Sequence, residues 1–317
     1  MSLATASSSA NPASSFSALW AHLQPAIDYV MTSTSEDEEP PKVDYTLYAN
    51  IHSSLYNYFA KCCNEVGFAA PDGSLPGHEV YDKLDEYFQN TCKEILLEGP
   101  GDGPELVAYV VSAFQRYNKR ASAVERLTSY INRHYVRRAL DEEKGWINLS
   151  DALEIARQNR TSPDSTSGSD QRTIAQIKFD SKISELKKWG YKEGELKESA
   201  PAAEARAEAA SSLDRIVPVL SLARRRFRIE VLEPLLVYPK YNNKARLKNR
   251  VKPPTGPPPY RSKGRLARGV QNYHDSYPIS DSRQVLSMLD LTLSTTGIRP
   301  ETHLRKRLHH LLTAPEK

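Results

Sequence analysis

The chain has 317 residues, 39% of them hydrophobic and 26% charged, with a net charge of +4. Met1 to Ser15 carries no basic stretch followed by an apolar run, and no segment approaches about 18 uncharged apolar residues, so a secretory leader and a membrane-spanning helix are both disfavoured. Three cysteines, Cys62, Cys63 and Cys92, form no CxxC pair and leave an odd count, which argues against a disulfide framework and against a zinc site.

With 21 prolines and a Ser-rich start, the natural division is a disordered stretch over 1–15, one helical domain of about 130 residues, and a weakly structured remainder. Phe16 to Met31 carries Phe16, Leu19, Trp20, Leu23, Ile27 and Val30 at helical spacing, with Pro25 expected to kink or split the helix. After the acidic, proline-terminated loop Ser33 to Pro41, Tyr45 to Phe59 puts Tyr48, Ile51, Leu55, Tyr58 and Phe59 on one helical face. His52 and Tyr56 enrich the other face in aromatic rings. Gly67 to Pro76 is a turn-rich connection, and Gly77 to Leu97 returns to helical periodicity through Val80, Tyr81, Leu84, Tyr87, Phe88, Thr91 and Ile95.

The longest stripe follows. From Glu105 to Arg138, apolar residues recur in steps of three and four, which predicts a single helix roughly 50 Å long at 1.5 Å per residue. Asp102-Gly-Pro-Glu105 supplies a capping carboxylate, a first-turn proline and a glutamate three residues beyond the cap. Short connections favour antiparallel neighbours, so the expectation is an all-α, elongated up-and-down bundle.

Beyond Trp146 the texture changes. Residues 147–215 read as an inserted polar linker with marginal helices, among them an amphipathic stretch from Thr173 to Trp189 and an Ala/Glu-rich run from Glu193 to Ala210. Residues 216–238 regain apolar character. Residues 239–317 read as a largely disordered basic, Pro-rich extension closed by two short helices, Val285 to Leu293 and Leu304 to Leu312.

From Arg224 to Arg268 there are 14 Lys or Arg against two acids, Glu230 and Glu233. Arg224, Arg225, Arg226, Arg228, Lys244, Arg246, Lys248 and Arg250 belong to this tract. Clustered cations release counterions from phosphates, which makes nucleic acid one reading. A solvated, disordered linker fits the prolines better, the aromatics Tyr238, Tyr241 and Tyr260 are too sparse for a base-stacking platform, and a nuclear-import signal is as plausible as nucleic-acid binding. No Gly-rich phosphate loop, GxSxG or HExxH motif is present, so neither catalysis nor a cofactor nor a metal is expected.

Several blocks together resemble the amino-terminal region of cullins, nearest to the class that scaffolds SCF ubiquitin ligases. They are Trp20, Leu47-Tyr48 with Ile51, LYNYF (Leu55 to Phe59), VYDKLDEYF (Val80 to Phe88) and above all SYINRHYVRRALDEEKGW (Ser129 to Trp146). The resemblance covers about Phe16 to Trp146 and resumes at Ser221 to Leu236, where the family's first repeat passes into its second.

The resemblance implies a non-catalytic scaffold whose first helical repeat docks an F-box adaptor in ubiquitin-dependent protein degradation, in cytoplasm and nucleus. By position, Tyr48, Ile51, His52, Leu55 and Tyr56 of the second helix, with Glu105, Leu106 and Tyr109 of the long helix, would face the adaptor. Nothing after Leu236 resembles the later repeats or the RING-binding domain. A truncated scaffold that holds no RING subunit by itself is the expectation, with a competitor for adaptors as its variant.

Overall fold

A computed structural model describes residues 11–32, 40–66, 74–160, 173–192, 199–237 and 264–313, and every regular element among them is a helix. In order these are α1 (Phe16–Thr32), α2 (Tyr45–Val66), α3 (His78–Glu98), α4 (Glu105–Leu127), α5 (Ser129–Ile131), a π-helical turn (Asn132–Val136), α6 (Arg137–Asp141), α7 (Leu149–Arg160), α8 (Ile174–Lys188), α9 (Ser199–Ala210) and α10 (Val219–Phe227). A second π-helical turn (Arg228–Leu232), α11 (Glu233–Leu236), α12 (Arg265–Ser276), α13 (Ile279–Thr295) and α14 (His303–Thr313) complete the series. The chain divides into two compact units, residues 1–88 with 115–225, and residues 89–114 with 226–317.

In the first unit, Leu19, Leu23, Ile27 and Val30 of α1 and Ile51 and Leu55 of α2 are almost fully enclosed. Each such side chain contributes roughly 1.5–3 kcal/mol on burial. Pro25 neither splits nor stops α1. The carbonyl its ring leaves without a donor belongs to Ala21, and both residues face solvent, where water can satisfy it. Tyr87 of α3 donates to Asp28 Oδ1 of α1 at 2.7 Å.

The expected rod of 34 residues is interrupted at Thr128. That side chain is wholly buried and its hydroxyl donates to the Val124 carbonyl at 2.8 Å. A hydroxyl bonded back onto the preceding turn competes with the helix ladder and bends it. The chain then restarts as α5, widens into the π-helical turn and closes as α6. Asn132, at the start of that turn, accepts from the Val219 amide at 2.9 Å, while Glu125 accepts from Leu220 N at 3.4 Å, so two side chains cap the opening of α10.

Residues 147–215 depart further from expectation. In place of a linker with marginal helices, α8 and α9 share a small core of Leu186, Trp189, Ala203 and Ala207 with Trp146 and Tyr191 packed against it. Ser181 of α8 bonds the Ala152 carbonyl of α7 at 2.8 Å. Alanines at every fourth position of α9 allow this close approach, and a sequence read for large apolar residues undervalues them. The segment 161–172 lies outside the described residues.

In the second unit, α12 packs on the start of α4. A Cβ at Gly269 would sit 3.1 Å from the Gly103 carbonyl, so the helices meet through a residue with no side chain. Asp102 does not cap α4: it accepts from Arg265 Nε at 2.9 Å and Arg268 Nη2 at 2.5 Å. Leu266, Val270, Leu286, Leu289, Leu293 and Leu308 are buried, and Arg305 of α14 holds Asp290 of α13 at 2.8 Å. Residues 264–313 are thus packed helices: the two expected short ones, present and longer as α13 and α14, and α12 before them, while 238–263 lies outside the described residues.

Candidate partner-docking site

Helix α2 carries two adjacent stripes. Ile51, Leu55, Tyr58 and Phe59 point inward and are at most 4% exposed. Tyr48, His52 and Tyr56 succeed one another in steps of four, which sets them side by side along the helix surface. The Tyr48 and His52 rings lie 6.2 Å apart.

This second stripe meets α5 and the π-helical turn. Tyr130 is the hub: its ring stands edge-on to His52 at 5.4 Å and to Tyr56 at 5.9 Å, tilts against Phe59 at 5.6 Å, and stacks on His134 at 3.9 Å. The Tyr48 hydroxyl and Ser129 Oγ are 3.3 Å apart. Burial raises the Tyr130 phenol above its usual range. Burial, followed by the charges of Arg133 and His52, lowers His134, which keeps it neutral at neutral pH.

The cluster is covered from below and open above. Tyr56 is 53% exposed and His134, Arg133 and Arg137 face solvent. Beside it lies an open depression of about 130 Å³ bounded by Phe59, Cys63, Pro76, Tyr130, His134 and Arg138. The Arg138 guanidinium approaches Cys63 Sγ at 3.7 Å and pairs with Glu142 at 3.4 Å. Aromatic rings held by neighbours but open on one side offer contact area at small entropic cost.

Of the residues expected to face a partner, Tyr48, His52 and Tyr56 come together in this cluster. Ile51 and Leu55, each 0% exposed, are core residues and present nothing outward, because the inward stripe of an amphipathic helix is the one its neighbours cover. Glu105, Leu106 and Tyr109 belong to the second unit. Glu105 is exposed, Leu106 is buried at 1%, and Tyr109 donates to the Ile95 carbonyl at 2.6 Å. Leu106 is therefore also corrected to a core position.

Sequence reasoning missed Tyr130 and His134 as site members. The signal that could find them is their i, i+4 spacing within the block Ser129 to Trp146.

The basic residues at 224–228 are structural. Arg224 donates to Asn118 Oδ1 at 2.9 Å, and Arg225, 1% exposed, donates to the Ser212 and Arg215 carbonyls at 2.7 and 2.8 Å. Arg226 pairs with Glu230 at 3.3 Å and Arg228 with Glu233 at 2.5 Å. Cations so engaged are not a phosphate-binding surface. Lys244, Arg246, Lys248 and Arg250 lie outside the described residues. Among the described residues no group of three or more His, Cys, Asp or Glu is placed to hold a metal ion, and no helix is long and apolar enough to cross a membrane.

No family model and no solved structure matches the chain. Over 137 residues it is 25% identical to Cullin-1 of Caenorhabditis elegans, an overlap that takes in 39% of this chain and 17% of that relative's length. With an all-α fold, what the similarity supports is a cullin-like helical region.

Proposed function

We propose that this chain is a non-catalytic, cullin-like scaffold module that docks an F-box adaptor of an SCF-type ubiquitin ligase through the aromatic face of α2 and α5. The observation that carries the reading is the Tyr130-centred cluster, in which Tyr48, His52 and Tyr56 are fixed by ring contacts while Tyr56 keeps 53% of its surface open. A pre-ordered ring loses little entropy on binding, which is why such residues dominate interface energetics. Any transfer of ubiquitin would be performed by proteins assembled on the scaffold. Occupation of adaptors without a ligase attached is the variant of the same docking chemistry.

Calorimetry with the full chain and a purified F-box adaptor tests the proposal. Wild type binds, and Tyr56→Ala weakens binding about 30-fold, the equivalent of about 2 kcal/mol at a hot spot. Leu153→Ala, which removes an exposed apolar side chain on α7, leaves the affinity unchanged. Absence of binding by wild type, or equal binding by Tyr56→Ala, rejects the docking face.

A further inference from the structure

We propose that the seat of α9 against α10 is a proton-operated latch: it closes on a neutral Glu208 carboxyl and opens locally when that carboxyl loses its proton. Glu208 lies in the last turn of α9, is 8% exposed and accepts from Ser221 Oγ, in the first turn of α10, at 2.6 Å. Every residue of the latch belongs to the first unit, and none is a member of the Tyr130 cluster, so the inference does not rest on adaptor docking.

The cations that could hold an ionised Glu208 are engaged elsewhere. Lys182 of α8 pairs with Glu204 at 2.6 Å. Arg224 donates to Asn118 Oδ1 at 2.9 Å, and Arg225 to the Ser212 and Arg215 carbonyls at 2.7 and 2.8 Å. Among the described residues no cation forms an ion pair with Glu208. The other groups that act on it are Glu204, one turn back on α9, Glu125 of α4, and Tyr81 of α3, whose phenol donates to the Val217 carbonyl at 2.8 Å. A single hydroxyl therefore supports the charged form. Burial outweighs it and raises the carboxyl to about 7, with Glu204 and Glu125 adding to the rise and Lys182 opposing it.

Little else resists opening. The buried residues of α9 besides Glu208 are Ala203, Ala207 and Ala209, whose methyl groups remove little area from water. The Lys182–Glu204 pair is partly exposed and screened by solvent, and Arg206 donates to the Trp189 carbonyl at 3.0 Å. A short segment with so few buried contacts opens at lower cost than the cores of α1 and α3. Opening returns Glu208 to water. The closed form binds the proton more tightly, so it is fully favoured below 4.5 and loses ground as pH rises to about 7. The opening equilibrium therefore grows roughly 70-fold from pH 5 to pH 8. Opening uncovers Trp189 from the alanines of α9.

Hydrogen exchange of the full chain, followed by mass spectrometry at pH 5 and pH 8 and corrected for intrinsic rates, tests the latch. Amides of 199–210 are expected to be less protected than those of α1 and α3, and to keep their rate in low urea that hastens α1 and α3. They open roughly 70-fold more often at pH 8. Glu208→Gln, checked by circular dichroism, removes the rise. Ser221→Ala takes away the hydroxyl that supports the ionised carboxyl in the closed form, so the rise continues to a higher pH than in wild type. This second variant decides the matter if Glu208→Gln does not fold, and a rise that ends at the wild-type pH counts against the latch. Protection and urea response of 199–210 equal to those of α1 and α3, a rise that survives in Glu208→Gln, or no rise in wild type overturns the proposal.

Discussion

Two carboxylates in this chain respond to their surroundings in opposite ways, and each sets a pH dependence. Asp102 is held below the usual carboxylate range, first by the hydrogen bond from Arg268 and then by Arg265. Its folded form binds a proton less readily than the unfolded chain does, so its contribution is present above the ordinary carboxylate range and is lost as pH falls through the lowered value. The pair is solvent-screened, so Asp102→Asn is expected to cost a few tenths of a kcal/mol at neutral pH and to flatten the acid limb of the melting-temperature profile.

Glu208 does the reverse. It is 8% exposed on α9, accepts from Ser221 Oγ at 2.6 Å, and is pushed up to about 7 chiefly by burial, with Glu204 and Glu125 adding to the rise and Lys182 opposing it. The folded state holds the proton more tightly than the unfolded, so stability is fully present below the ordinary value of 4.5 and declines as pH rises to about 7. Glu208→Gln should remove that decline, worth on the order of 3 kcal/mol, in melting curves taken across the same window. A variant with an unchanged slope would show that the carboxyl is not the titrating group.

At the scale of elements, the Tyr130-centred aromatic cluster exists because the α4 stripe does not continue. The turn at Thr128 and the π-helical turn after Ile131 re-aim Tyr130 and His134 towards α2. A helix carried straight through would distribute them by its own period. Gly77 supports the same place from the side of α3: its φ is +84°, and a Cβ there would collide with the Phe59 ring at 2.2 Å. Phe59 in turn lies under Tyr130. Gly77→Ala is expected to destabilise the chain by about 2–3 kcal/mol through the positive φ and the displaced ring. It should weaken adaptor binding although it touches no adaptor-facing residue. A calorimetric affinity equal to wild type in a variant with a lowered melting temperature would sever the link between Gly77 and the docking face.

Over the whole molecule, charge is unevenly allotted. Residues 226–317 hold 18 Lys or Arg against seven acids, and eight of these bases fall in 238–263, where there is no acid. Since the arginines at 224–228 are tied into the fold, retention on an immobilised polyanion is expected to come from 238–263. Deleting that stretch should abolish salt-dependent retention on a nucleic-acid column, whereas Arg224→Ala should leave the eluting salt concentration unchanged and lower the melting temperature. An unchanged elution position for the deletion would remove the nucleic-acid reading.

Helical class, the approximate spans of α1 to α3, the start of α4 and the aromatic wealth of α2 were legible from residue spacing alone, because amphipathic periodicity is written locally at 3.6 residues per turn. The inward fate of Ile51, Leu55 and Leu106 was equally local, since each sits on its helix's apolar stripe; assigning them outward roles came from the resemblance and not from the stripe. Elsewhere the outcome depended on partners far along the chain. Asp102 carries a capping signature but meets arginines more than 160 residues away. The basic run at 224–228 looks like a free surface until carboxylates and carbonyls enclose it. The alanines of α9 announce no core until Trp189 arrives against them. Local pattern decides which residues form a helix and which side is greasy. Which side is finally covered, which charge is neutralised and where a helix must break are decided by contacts between segments remote in sequence, and these follow from packing that no single window of residues contains.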